Sequence, residues 1–398
     1  MNGIKKYFSG ISRNVVILGV VSLFTDLSGQ LVFPLLPLYI TTVLGGGAMA
    51  VGLVEGAAEA TASLLKVVSG YWSDKIRRRK PFVFFGYTLS AIMKPVLAFA
   101  GSWFAVLSIR IADRIGKGLR DAPRDAIIAE SNDQATMGKA YGFNRALDGL
   151  GSVGGAVLAF ILLPILGFVS LFKLAIIPGL VAVAVIFFVK EPARSESMNK
   201  KISLKLGFSK LTRDLKIFIL IATIFTLGNY SYAFLMLRAQ AGGLGNEKTI
   251  MLYALFYLVY TLLSTRAGML SDKLGRKPVI LSGYLIFTLL SFGLYLINGL
   301  PFTIISFMLF GIFFALVDGS QRALVSDLSP MEIKGTALGT FHTFTGLAAL
   351  PAGVIAGQLW TRVNPQTTFL FGALTGIISI IIFYLSIYRT KSLNSGIN

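Results

Sequence analysis

The sequence predicts an all-α integral membrane protein, with twelve transmembrane helices in two pseudo-symmetric six-helix bundles. Three observations carry that expectation: the spacing of apolar runs, the placement of basic residues, and a half-length internal repeat. The chain has 398 residues, is 55% hydrophobic, and has a mean hydropathy of +0.74. Apolar stretches fall at 14–43, 48–72, 82–100, 143–163, 168–189, 217–236, 250–270, 279–297, 301–317, 336–360 and 367–388. Most approach the ~20 helical residues that cross a bilayer. A further span starts apolar at Trp103 and then turns charged. Within lipid, only helices and closed barrels satisfy the backbone. No period-two alternation runs through these stretches, so they read as helices.

The formal charge of +19 would suggest nucleic-acid binding in a soluble chain. Position removes that reading. With the N-terminus in the cytosol, 23 of the 37 Lys and Arg residues lie in cytoplasmic segments, two in outer loops (Lys248 and Arg362), and twelve within spans. The positive-inside rule then places both termini in the cytosol, in a multi-pass protein of the cell (inner or plasma) membrane. The first apolar run is too long for a signal peptide and lacks a small-residue cleavage site, so it reads as a retained first helix. There is no Cys, hence no disulfide or thiol chemistry.

The third observation is a duplication. GYWSDKIRRRKP (70–81) returns as GMLSDKLGRKP (268–278). Gly70, Asp74 and Lys75 map onto Gly268, Asp272 and Lys273 at an offset of 198, and Arg124 maps onto Arg322. At an offset of 197, Gly138, Gly142 and Arg145 map onto Gly335, Gly339 and His342. Half a chain separates each pair, so two homologous bundles are expected, 1–190 and 214–398. The polar, basic stretch 191–213 between them reads as a cytoplasmic linker.

The repeated G-x-x-x-D-[RK]-x-G-R-K loop resembles the signature of the major facilitator superfamily, and the resemblance extends over the whole chain. The second copy keeps Gly275, where the first has Arg77. In that family the loop latches the two bundles in one state. The resemblance therefore assigns a conformational latch to Gly70, Asp74, Arg78, Gly268, Asp272 and Arg276. Glycine permits close helix packing there, and a carboxylate at a helix end can accept from orphan N–H groups.

Helix four has the most unusual composition. RIADRIGKGLRDAPRD (110–125) puts eight charges in sixteen residues. At 100° per residue, Arg110, Asp113, Arg114, Lys117, Arg120, Asp121, Arg124 and Asp125 fall within an arc of about 140°. Ile109, Ile111, Ala112, Ile115, Leu119 and Ala122 occupy the other side. Ionisable residues in a span face a water-filled cavity or one another. Pro123 suggests a kink or an end, with the residues from Arg120 onward near the cytoplasmic surface. The helix-four Arg of drug antiporters in the family is followed by Gly four residues on. Here position 114 is Arg, so the match is loose, and the string instead resembles an uncharacterised prokaryotic subgroup.

Other intramembrane charges extend the candidate site. Asp26 lies about twelve residues into helix one, or ~18 Å along it, near the midplane of a ~30 Å core. A carboxylate there could take up and release a proton, as could Glu59 on helix two, or it could form a permanent salt bridge to a cavity Arg. Glu55, Glu59 and Lys66 share a face of helix two. Lys94 precedes Pro95 on helix three. Asn144, Arg145 and Asp148 lie on one side of helix five. The second half contributes Arg238 with Asn229, Tyr230 and Tyr232, then Arg266, Asp318 and Arg322 one turn apart, and His342, the only His. Gly149, Gly151, Gly154 and Gly155 on helix five either carry an antiporter-like motif or permit tight packing.

There is no phosphate-binding G-x-x-x-x-G-K-[ST] loop, no His/Cys metal cluster and no readable nucleophile set, so no enzyme, cofactor or metal is expected. The expected function is secondary active transport by alternating access, with proton-coupled efflux of a small anionic or amphipathic organic molecule. The alternatives are uptake of an organic or phosphorylated anion and a lipid flippase. The surplus of cations over carboxylates in the spans favours a substrate bearing carboxylate, phosphate or sulfonate. The expected partners are that substrate, protons and the lipid bilayer, with no nucleic acid, and the expected state is a monomer.

Overall fold

The structure is a computed structural model, and it describes residues 11–76, 78–132, 137–191, 211–330 and 333–388. Among these residues there is no strand. Ten helices among the described residues are long and apolar enough to cross a membrane. One of them, Ala140–Ile186, is broken at Gly167, whose φ of 71° lies in the left-handed region. It therefore counts as two spans. The charged Trp103–Glu130 completes twelve.

We number them α1 (Arg13–Val43), α2 (Ala48–Ile76), α3 (Lys80–Val96), α4 (Trp103–Glu130), α5 (137–166) and α6 (168–186). The second series is α7 (Arg213–Ala241), α8 (Asn246–Leu274), α9 (Arg276–Leu296), α10 (Leu300–Asp327), α11 (Lys334–Arg362) and α12 (Pro365–Ile387). Local chemistry sets several starts. Ser12, Thr212 and Asn364 accept from the N–H groups of Val15, Leu215 and Thr367, as N-caps do. Helix α7 is interrupted: Gly228 ends its first part, Asn229 and Tyr230 are non-helical, and Ser231 caps a second part starting at Tyr232.

Chain contacts group the molecule into two compact units. Unit 1 is Met1–Phe33, Leu65–Ala100 and Ser108–Leu204; unit 2 is Pro34–Leu64, Gly101–Leu107 and Lys205–Asn398. The boundaries cross α1, α2 and α4, so the early part of α2 packs with the second sequence half. The expected linker, 191–213, falls almost wholly on residues 192–210, outside the described residues.

Unit 1 has an aliphatic core, with Val15, Leu18, Val21, Ile127, Ile128 and Ile186 at or near zero exposure. Helix α5 lies against α1 at Gly151 and Gly155, where any Cβ would strike the carbonyl oxygens of Leu23 and Leu27. Close packing accounts for these two glycines. Unit 2 has an aromatic core: Phe225 stacks on Tyr284 at 3.8 Å, Phe287 and Phe313 pack against Phe225, and Phe310 packs against Phe313. Within unit 2, α2 and α11 meet through backbone. A Cβ on either Gly52 or Gly353 would collide with the carbonyl oxygen of the other, and Gly56 and Gly346 make similar approaches to Leu350 and Ser63.

Candidate substrate and coupling site

The polar arc of α4 is turned into the interior of unit 1. Arg110, Asp113, Arg114, Arg120 and Arg124 are all buried. Lys117, Asp121 and Asp125 are half-buried. Arg110 Nη1 donates to Asp113 Oδ2 at 3.1 Å, and Arg114 Nε lies 3.6 Å from the same oxygen. Both guanidiniums lie over the ring of Phe33, at 3.8 and 4.8 Å from its centroid. A cation over a ring face gains from its quadrupole, more so when desolvated. Helix α3 completes the group. Buried Lys94 donates to Ser28 Oγ at 3.0 Å and to Thr25 O at 3.4 Å. Four buried cations, Arg110, Arg114, Lys94 and Arg120, thus stand near the buried carboxylate of Asp113.

Helices α3 and α4 come together at Gly86 and Gly116, where a Cβ on either would lie 2.6 Å from the other's carbonyl oxygen. Beside this crossing Arg120 Nη1 donates to Ser90 Oγ at 2.7 Å and lies over the Tyr87 ring. One turn on, Arg124 donates to Asp125 Oδ1 at 2.8 Å and to Ser22 Oγ at 3.3 Å.

Of the two outcomes expected at Pro123, a kink or an end, the end does not occur. The helix continues through a buried Pro123 to Glu130. Proline removes one backbone donor, but the flanking turns are held from outside the helix. Arg124 reaches Ser22 on α1, and Tyr141 OH donates to Asp125 O at 2.8 Å. Arg120 and Arg124 consequently point inward.

Asp26 is half-buried on α1, with Asp148 of α5 and Lys117, Arg120 and Arg124 of α4 as its charged neighbours. Asp148 pairs with half-exposed Arg145 at 3.4 Å, and its Oδ1 is buried without a hydrogen bond. Lys66 is half-buried in unit 1. Glu55 and Glu59 belong to unit 2, Glu55 half-buried and Glu59 exposed.

Unit 2 gathers fewer charges. Asp318 and Arg322 form an ion pair one turn apart, and Tyr260 OH donates to Asp318 at 3.3 Å. A cavity of about 100 Å³ adjoins them, lined by Asp318, Gln321, Asn229 and the rings of Phe225, Phe313 and Phe314. The Asn229 Oδ1 at the interruption of α7 is buried there with no hydrogen bond. Arg238 is buried and donates to Asn298. His342 is half-buried, edge-on to Phe341. Arg266 is exposed.

The duplicated loop folds into two like ion-pair groups. Arg79 Nη2 contacts Asp74 at 2.9 Å and Glu130 at 2.6 Å. Arg276 contacts Asp272, and Asp327 at 3.3 Å. Arg78, assigned to the latch by the resemblance, is exposed beside this group. An inserted residue explains the shift. In the second copy, Gly275 at φ 90° passes the chain from α8 straight into α9. The first copy has no Gly there; residues 78 and 79 precede α3 outside any helix, and 77 is outside the described residues. At an offset of 197, Arg79 pairs with Arg276 and Glu130 with Asp327, whereas Arg124 and Arg322 keep the offset of 198. The roles of Arg79, Glu130 and Asp327 were missed in the sequence; the change of offset within the motif was the available signal. Phe33, which seats both guanidiniums, carried no signal.

The comparisons agree with this architecture. The sequence profile of the Major Facilitator Superfamily matches residues 18–246 and 218–398. The chain belongs to that superfamily. It is 42% identical over 377 residues to an uncharacterized MFS-type transporter of Methanocaldococcus jannaschii, covering 93% of this chain and 94% of that one. A shorter likeness, 32% identity over 103 residues and 26% of each chain, is to a multi-drug resistance efflux pump of Streptococcus pneumoniae. The fold matches the crystal structure of the nucleoside transporter NupG with a TM-score of 0.78 at 14% identity, covering 94% of this chain and 100% of that one. The protein is thus a multi-span membrane transporter of the superfamily rather than an enzyme.

Proposed function

We propose that this facilitator-family protein is a secondary active transporter that exports a small organic anion, or an amphipathic molecule with an anionic group, in exchange for protons. The sequence halves 1–190 and 214–398 would act as the moving bundles of a monomer, alternately exposing one site, with both termini in the cytosol and 191–213 as linker. The observation that carries the substrate class is the excess of buried cations, Lys94, Arg110, Arg114 and Arg120, over the neighbouring carboxylates, buried Asp113 and half-buried Asp26. Charge inside a span is costly and is kept where it binds or relays. A net positive cluster of this kind suits a carboxylate, phosphate or sulfonate, which would bring the missing negative charge.

Coupling is assigned to Asp26 with Asp148. Two neighbouring acids among three cations form a place where one proton can be held and passed. Arg145, Lys66 and Lys117 supply positive charge around that pair, and Asp318, Arg322, Arg238 and His342 are the proposed second-half contributors. Export is favoured by the partial likeness to an efflux pump, and orientation by the cytoplasmic excess of basic residues.

The test is transport in proteoliposomes containing the purified protein, under an imposed pH gradient, with organic anions and their neutral analogues. The reading predicts accumulation of anions only, driven by the gradient. The Asp26→Asn protein should keep exchange but lose gradient-driven accumulation. Transport indifferent to substrate charge would refute the substrate class, and an unaffected Asp26→Asn protein would refute the coupling.

A further inference from the structure

Where α3 begins and α6 ends, in unit 1, a surface groove of about 470 Å³ opens among Arg78, Lys80, Phe84, Phe85, Phe187 and Glu191. Its charged residues stand at or beyond the helix ends, and its rings lie one turn inward on α3 and at the end of α6. Phe85 and Phe187 are each 64% exposed. Phe84 and Phe187 touch at 5.2 Å between centroids and make one continuous apolar wall. Lys80 Nζ donates to Phe187 O at 2.9 Å, which joins the two helix ends.

The one acid of the groove is already engaged. The Glu191 carboxylate accepts from the backbone N–H groups of Arg79 and Lys80 at 2.7 and 3.0 Å. Its charge is thus matched by the amino end of α3. Arg78 is exposed and makes no ion pair with another described residue. The groove therefore joins a positive rim to an aromatic wall.

We propose that this groove binds one anionic phospholipid, with its phosphodiester beside Arg78 and Lys80 and an acyl chain along Phe84, Phe85 and Phe187. Basic pockets between helix ends on the cytoplasmic side suit such head groups. The wall decides between a lipid and a free anion, because inorganic phosphate gains nothing from three phenylalanine rings. The occupied groove would lie one residue from Arg79, so the lipid would load the same turn that holds Asp74 and Glu130.

The test uses the full chain purified in detergent and native mass spectrometry against an equimolar mixture of phosphatidylglycerol and phosphatidylcholine. The expected result is retention of one phosphatidylglycerol with a preference of about tenfold. Arg78→Gln and Phe85→Ala change exposed side chains and should each reduce retention severalfold. Arg266→Gln, an exposed arginine on α8, should not. Millimolar inorganic phosphate should leave the lipid bound. Equal retention of the two lipids, full retention by both groove variants, equal loss with Arg266→Gln, or displacement by phosphate would each overturn the proposal.

Discussion

Asp113 holds two guanidinium groups, Arg110 and Arg114, inside a helix that also needs an apolar side. Removing one partner of a buried ionic group leaves charge unpaired and costs about 3–5 kcal/mol. Asp113→Ala should therefore lower the thermal unfolding midpoint severely, whereas Arg145→Ala, which removes a half-exposed partner of Asp148, should lower it little. The two loop groups offer a second contrast. The Arg79 side chain is 8% exposed, while Asp272 and Asp327 around Arg276 are 65% and 55% exposed. Arg79→Ala should cost several kcal/mol, and Arg276→Ala less than about 1 kcal/mol; parallel melts of the two variants check the order. At this scale the sequence disclosed which residues are charged and which share a helical face. It did not disclose partners, because Phe33, Ser22, Ser28 and Ser90 are ordinary residues until the helices pack.

Among the elements, the twelve spans were legible because membrane thickness imposes one length on every apolar run. Helix α4 was legible for the opposite reason: its charge could be tolerated only on one side. Its passage through Pro123 was not legible, since the side chains that hold the adjacent turns come from α1 and α5. The interruption of α7 at Gly228–Asn229 has a local signal, a glycine followed by a capping serine, but the orphan amide oxygen depends on the rings around it. The contact of α2 with α11 also gives a prediction. Gly52 and Gly353 approach so closely that Gly353→Val excludes this packing. A single cysteine replacing buried Ser63, beneath Gly346, should react with an aqueous maleimide severalfold faster in the Gly353→Val background. Equal rates would mean that the contact does not control access to that part of α2.

For the whole molecule, the duplicated loop, the repeated ion-pair groups and the twelve spans state one design twice, as the superfamily does. The two halves are not equally charged inside. The first carries Lys94, Arg110, Asp113 and Arg114 in its interior, whereas the second offers an aromatic cavity with Asn229, Gln321 and the Asp318–Arg322 pair. In the proposed function, the buried charges of the first half would meet the anionic group of the substrate.

Ligand-induced stabilisation of the purified chain by matched pairs, each an organic carboxylate, phosphate or sulfonate and its uncharged analogue, reads this most directly. The account predicts that only charged members raise the unfolding midpoint. It also predicts that Arg114→Gln weakens their binding by about tenfold or more, the loss of one charge-assisted hydrogen bond. Stabilisation by the neutral members, or undiminished anion binding by Arg114→Gln, would contradict it.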